Sequence, residues 1–202
     1  MKIYFSTTSP YVRKCLVVAH ELGLNEQMQL LPSNAGPVQR DQEIIVSNPL
    51  GKVPTFFTDD GQVLYDSRVI CEYLDTLAGG TLFPRAGKER WETLTLQSLG
   101  DGILDACLLA RYEDVARPEV LRWAEWRAGQ LDKVSTSLAH LETQSEWLHG
   151  RVDIGSLTIG CALWYLDLRF SELAWRSTYP NVAAWYAVFG QRSSMQAAWA
   201  LA

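Results

Sequence analysis

The sequence predicts an α+β domain over residues 1–78, a linker over 79–87 and an all-helical domain over 88–202. Two observations carry that reading. Short runs rich in β-branched and aromatic residues, separated by Gly, Pro and Asp turn signals, occur only before residue 66. From Glu89 onward apolar residues recur at helical spacing and no convincing strand is present.

Taken in order, Lys2-Ile3-Tyr4-Phe5 reads as a first strand, and Ser9 followed by Pro10 reads as a helix N-cap and first helical residue. The helix runs from Pro10 to about Leu22, burying Val12, Cys15, Leu16, Ala19 and Leu22, and Gly23 stops it. Gln27 to Leu31 is a second strand. The polar segment from Pro32 to Pro49 holds a short helix around Asp41 to Val46. A turn through Asn48 to Val53 leads into a strand that Pro54 begins, where a missing ladder N–H is tolerated. Asp59-Asp60-Gly61-Gln62 is a hairpin turn returning through Val63-Leu64-Tyr65. Asp66-Ser67 opens a helix through Val69, Ile70, Tyr73, Leu74 and Leu77, closed by Gly79-Gly80. The order is β-α-β-α-β-β-α.

In the second part, Leu96, Leu99, Ile103, Leu104, Cys107, Leu108 and Arg111 keep one helical period. Leu121, Ala124, Ala128, Leu131, Leu138 and Leu141 keep another, with Pro118 breaking between them. A third helix spans about Leu157 to Leu168, its start marked by Asp153 and Ser156, a capping box with its two chemistries exchanged. Pro180 precedes a last helix through Val182, Trp185 and Phe189.

Composition excludes several classes. With 48% apolar and 20% charged residues over 202 positions, the chain is globular and large enough for a sizeable core. A net charge of -5 and the absence of a Lys/Arg run argue against a nucleic-acid backbone as partner. No apolar stretch approaches the roughly 20 residues that span a bilayer, and polar Ser and Thr follow Phe5 where a signal peptide would be apolar. Cys15, Cys71, Cys107 and Cys161 are far apart among apolar neighbours, the pattern of small buried residues in a reducing compartment, so a cytoplasmic protein is expected. His20, His140 and His149 have no metal spacing, and neither a Gly-rich phosphate loop nor a Gly-x-Ser-x-Gly elbow occurs, so no metal is expected.

Three stretches carry chemistry. Ser9 sits beside the positive end of a helix, a place to hold an anion, although on its own the Ser9-Pro10 pair is equally an ordinary cap. Val53-Pro54 begins a strand, and Asp66-Ser67 opens a helix with free N–H groups, a hydroxyl and a carboxylate; each is also a common local device.

Together they resemble a known site. Ser9-Pro10-Tyr11-Val12 looks like the glutaredoxin pattern Cys-Pro-Tyr-Cys with both cysteines replaced, and Val53-Pro54 looks like the cis-proline of thioredoxin folds. With Asn48-Pro49-Leu50-Gly51-Lys52-Val53-Pro54, Leu64-Tyr65-Asp66-Ser67-Arg68-Val69-Ile70 and the helical second half, the chain resembles a cytosolic-type glutathione S-transferase. It is most similar to bacterial members with Thr-Ser-Pro-(Phe/Tyr)-Val-Arg-Lys near the N-terminus. The resemblance implies a thioredoxin-like domain that binds glutathione, followed by a helical domain shaping the second-substrate pocket.

It also implies roles. Ser9 would donate a hydrogen bond to the glutathione thiolate, with Tyr4, Ser6, Thr7 and Thr8 as alternative hydroxyls. Lowering a thiol pKa by one unit takes about 1.4 kcal/mol, within reach of one charge-assisted hydrogen bond. With Ser9 and Val12 in the two cysteine positions, dithiol–disulfide exchange at this site is implausible. Through a cis Val53-Pro54 bond, Val53 would pair with the cysteinyl unit. Asp66 and Ser67 would hold the γ-glutamyl zwitterion, and Lys52, or else Gln39 or Arg40, would neutralise the glycine carboxylate. Asp105, four residues after Asp101 on one helix face, would complete the γ-glutamyl site across a homodimer; a solvated helix edge is the alternative. Leu104, Leu108, Arg111, Tyr112 and Trp164 would line the pocket for an apolar electrophile, in alkyl or aryl transfer to sulfur serving detoxification. The alternatives are a non-catalytic binding or partner protein of transferase fold, or a specialised glutathione-dependent isomerase, dehalogenase or peroxidase.

Overall fold

The computed structural model describes residues 1–197, arranged as two compact units. The first is Met1–Arg85 joined by the segment that starts at Ser193; the second is Ala86–Arg192.

The first unit is built on a four-stranded mixed sheet of order β2-β1-β3-β4, with β1 Lys2–Tyr4, β2 Gln29–Leu31, β3 Thr55–Phe57 and β4 Val63–Leu64. β1 pairs with β2 in parallel and with β3 antiparallel, Tyr4 opposite Thr55. β3 pairs antiparallel with β4, Phe56 opposite Leu64. Helix α1, Pro10–Glu21, follows β1 and ends at Gly23, whose φ of +69° is left-handed. Helix α2, Gln42–Ser47, is capped by Asp41, and α3, Ser67–Ala78, follows β4.

The expected face of α1 is only part of what it buries. Leu16 and Leu22 are half-exposed, whereas Arg13, Lys14, Val17 and Val18 are buried beside Val12, Cys15 and Ala19. A helix packed on more than one side loses the single stripe that periodicity detects. Part of the extra cover is the short helix α9, Ser193–Ala197, placed by the sequence reading in the helical domain. Arg13 Nη2 donates to the Met195 carbonyl at 2.6 Å, and Ser194 Oγ donates to Glu21 at 2.5 Å. The helix from Pro180 is therefore not the last. In α3, Ile70, Cys71 and Leu74 are buried, while Val69 and Leu77 are 47% and 50% exposed.

The second unit is helical. Its long members are α4 Gly87–Val115, α5 Ala124–Thr143 and α6 Ile154–Arg169, followed by α7 Trp175–Thr178 and α8 Pro180–Phe189. α6 is buried from Ile154 through Leu166 and forms the centre of this core. The exchanged capping box is present: Ser156 N donates to Asp153 Oδ1 at 2.9 Å and Asp153 N donates to Ser156 Oγ at 3.0 Å. Thr93 Oγ1 donates to Asp153 at 3.2 Å, tying the cap to α4. Two glycines let α4 and α6 meet closely. A Cβ on Gly155 would stand 2.9 Å from Leu96 and the Thr93 carbonyl oxygen, and one on Gly100 would stand 2.8 Å from Thr158.

Helix α5 departs from expectation at its start. Leu121 lies in a 3-10 turn, Glu119–Leu121, and is 63% exposed, while Ala124 and Ala128 are exposed. The buried face is Gln130, Val134, Leu138 and Leu141. The period is helical as expected, but its first turns meet no core. The start is set instead by Glu113, which accepts the Trp123 N–H at 2.6 Å.

Candidate functional site

The sheet register brings the three motifs to one edge. β1 and β4 both run antiparallel to β3, so they run in the same direction, and α1 and α3 begin where those two strands end. At that same edge β3 begins, next to Val53-Pro54. An independent contact agrees: Cys15 Sγ, in the second turn of α1, lies 3.9 Å from the carbonyl oxygen of Ser67, the first residue of α3. Two helix N-termini thus flank a strand start, two partially positive ends beside a free backbone segment.

Ser9 caps α1 from extended backbone, φ -78° and ψ 117°. Its Oγ accepts the Val12 N–H at 3.3 Å, and its N–H donates to the Ser6 carbonyl at 3.1 Å, closing the turn that carries the strand into the helix. The oxygen is thereby committed as an acceptor and the hydroxyl proton remains available to donate. Of the alternative hydroxyl bearers, Tyr4 packs its ring edge-on against Phe57 at 5.8 Å, Ser6 is half-buried, and Thr7 and Thr8 are exposed.

The Val53-Pro54 peptide bond is cis. Pro54 is buried and Val53 half-buried, and among the described residues the Val53 N–H and C=O have no hydrogen-bond partner. The loop that presents them is held by Asn48, fully buried. Its Nδ2 donates to Thr55 Oγ1 at 2.8 Å and its Oδ1 accepts the Leu50 N–H at 3.0 Å. Thr55 Oγ1 in turn donates to the Lys52 carbonyl at 2.7 Å. Gly51 completes the turn at φ +61°, where a Cβ would meet Ile45 at 3.1 Å. The positioning roles of Asn48 and Thr55 escape the sequence reading; the Asn48-Pro49 turn signal is their one trace.

Asp66 caps α3, accepting the Arg68 N–H at 2.9 Å with one carboxylate oxygen. It is exposed and Ser67 is buried, and the Tyr65-Asp66 bond is cis as well. The Ser67 N–H and hydroxyl have no partner among the described residues. Lys52 is exposed. Gln39 is exposed, its carbonyl accepting the Gly36 N–H, and the Arg40 guanidinium donates to the Pro49 carbonyl.

On the helical unit the candidates sort by depth. Leu104 is fully enclosed and Trp164 is 3% exposed, its ring 6.3 Å from that of Tyr165. Leu108, Arg111 and Tyr112 are half-exposed. Burial raises the Tyr112 phenol above its ordinary value, with Arg111 opposing, and burial pushes the Cys107 thiol up to about 12. Asp105 is exposed and Asp101, one turn earlier, is buried.

Residues 8–77 match the family described as glutathione S-transferase, N-terminal domain, and residues 124–187 match glutathione S-transferase, C-terminal domain. An uncharacterized GST-like protein of Escherichia coli K12, YibF, is 32% identical over 90% of both chains. The chain belongs to the glutathione S-transferase family. A solved glutathione transferase family member from Pseudomonas fluorescens Pf-5, with bound glutathione, is 45% identical. It covers 98% of this chain and 97% of its own at a TM-score of 0.95. Elongation factor 1-gamma of Danio rerio is 26% identical over 75% of this chain, which spans about a third (34%) of that relative's length. The thioredoxin-like and helical halves of the transferase fold are thus both present, as the motifs and periodicity predict.

Proposed function

We propose that this protein is a glutathione transferase that stabilises the glutathione thiolate at Ser9 and directs it at an electrophile. The observation that supports this most is the convergence of Ser9, Val53 and Asp66-Ser67 at one sheet edge. The glutathione bound to the Pseudomonas fluorescens relative fits the same reading.

Each part of the tripeptide has a counterpart. The free N–H and C=O of Val53 pair with the cysteinyl unit as a short antiparallel strand. The γ-glutamyl carboxylate takes the Ser67 N–H and hydroxyl at the α3 N-terminus, and the uncommitted Asp66 oxygen takes its ammonium. Lys52 serves the glycine carboxylate as a point charge. Asp105 of the partner subunit closes the γ-glutamyl end in a homodimer, which a sizing measurement returning a monomer would rule out. The Ser9 hydroxyl donates to the sulfur, favouring the thiolate, and the α1 N-terminus adds to the effect. The thiolate then attacks the electrophilic carbon; the C–S bond forms as the leaving group departs with its electron pair. Leu108, Arg111, Tyr112 and the deeper Leu104 and Trp164 shape the electrophile's surroundings. The setting is the cytoplasm, with which four buried cysteine thiols in no disulfide agree, and the role is removal of electrophiles.

Calorimetric titration with glutathione, followed by turnover of a chloronitroaromatic acceptor, tests the reading. Glutathione binding in the micromolar to millimolar range with conjugate formation is expected; no binding at millimolar glutathione would contradict it. A transferase-fold module that binds without turnover is the second reading, suggested by the likeness to elongation factor 1-gamma. Binding with no conjugate formed would favour it.

A further inference from the structure

Two thiols of the sheet unit lie against one another. Cys15, in the second turn of α1, comes six residues after Ser9, and Cys71, in α3, comes four residues after Ser67. Their sulfurs are 3.9 Å apart, although 56 positions separate them along the chain. The Cys15 sulfur is also 3.9 Å from the Ser67 carbonyl oxygen, so two contacts set it over the first turn of α3. Both residues are fully buried, and neither is in a disulfide. Helices α1 and α3 thus touch through a sulfur pair, just inside the two helix starts that carry Ser9 and Asp66-Ser67.

Two sulfurs at van der Waals contact need only a short approach, to about 2.0 Å, to bond. Side-chain rotation at both cysteines with a small slide of α1 on α3 supplies it. Because both thiols are enclosed, an oxidant reaches them when it is near water in size or when α1 lifts locally from α3. Hydrogen peroxide meets the first condition. One thiolate attacks a peroxide oxygen: the S–O bond forms, the O–O bond breaks, and hydroxide leaves and takes up a proton as water. The second sulfur then attacks the sulfenic sulfur: the S–S bond forms, the S–O bond breaks, and a second water departs. Two thiols are oxidised and one peroxide is reduced to two waters. Cys107 does not compete, since burial pushes its thiol up to about 12 and keeps it protonated.

We propose that Cys15 and Cys71 are a redox modification site: hydrogen peroxide converts them to a reversible disulfide that clamps α1 to α3 and weakens glutathione binding. The second effect rests on the transferase reading above. Drawing the Cys15 sulfur toward Cys71 takes it from the Ser67 carbonyl and shifts the first turn of α3. That turn presents the Ser67 N–H and hydroxyl, and hydrogen bonds to a carboxylate weaken steeply with misalignment. A dithiol reductant reverses the change by exchange, returning both thiols and leaving the reductant as its own disulfide.

The test treats the whole folded protein with hydrogen peroxide, quenches it, and follows free thiols, peptide mass, melting and glutathione titration. A peptide linking Cys15 to Cys71, lighter by two hydrogens and split by dithiothreitol, is expected. With it should come a melting temperature higher by about 5 °C or more, the effect of closing a long loop. Glutathione should bind the oxidised form roughly threefold or more weakly, with full recovery after dithiothreitol. Cys15→Ala and Cys71→Ala should each melt at one temperature with or without peroxide. No linked peptide, linkage seen only after unfolding in urea, or sulfinic acid at either cysteine in place of linkage would overturn the proposal and leave the pair as packing. Linkage with unchanged glutathione affinity would overturn the switch. Failure of the reduced protein to bind glutathione would overturn the transferase reading and the affinity effect together, while the linked peptide would still establish the modification site.

Discussion

In the proposed mechanism Ser9 uses one hydroxyl for two purposes. Its oxygen accepts the Val12 N–H and caps the start of α1, while in the proposed mechanism its proton is donated to the glutathione sulfur. The two purposes separate in a Ser9→Ala variant. Loss of a charge-assisted hydrogen bond of about 1.5–3 kcal/mol should lower kcat/KM roughly 10- to 100-fold. Loss of the cap should cost about 1 kcal/mol, or a melting temperature lower by about 2–4 °C for a chain of this size. Ser9→Thr keeps both functions and should recover most of each. An Ala variant with full activity would reassign the hydroxyl to Tyr4, Ser6, Thr7 or Thr8. At this scale the sequence is informative where the interaction is local. Ser9, Asp66 and Asp153 cap helices that start at the next residue, so local spacing locates them. Asn48 is a different case. Its importance lies in reaching Thr55 and the Leu50 N–H across a turn, and nothing in the residue type shows that.

At the scale of elements, the join between α4 and α5 shows how a single carboxylate places a helix. Buried Glu113 accepts the Trp123 N–H and the Arg117 guanidinium, at 2.6 and 2.8 Å. The backbone bond first, then the arginine, hold its carboxyl below the ordinary glutamate value of 4.5. A folded pKa below the unfolded one stabilises the fold fully above the unfolded value, and that contribution is lost as pH falls through the folded one. Glu113→Gln should therefore be less stable than the parent at neutral pH, with the gap narrowing as pH drops below about 4.5. Denaturant melts across that range measure it, and a gap independent of pH would assign the loss to packing. The periodicity of α4, α5 and α6 is legible in sequence because each buries a stripe or more of its surface. The exposed start of α5 is not, since Ala124 and Ala128 fit a helical stripe whether or not a partner covers it. The α9 segment is too short for any period to show.

For the whole molecule, the division into a mixed-sheet unit and a helical unit follows from where strand signals stop, and it is the most legible property of the chain. What the linear sequence does not display is that three separate turns, at Ser9, Val53 and Asp66, end on one sheet edge; that follows from the antiparallel pairing of β3 with both β1 and β4. The central claim is that this edge holds a glutathione thiolate. It is tested most directly by titrating the ultraviolet thiolate absorbance of glutathione bound to the intact protein against pH. A bound thiol pKa at least one unit below the ordinary value of about 8.5 is predicted, with Ser9→Ala returning it toward that value. A bound thiol that titrates at its ordinary value in the parent protein would contradict the account.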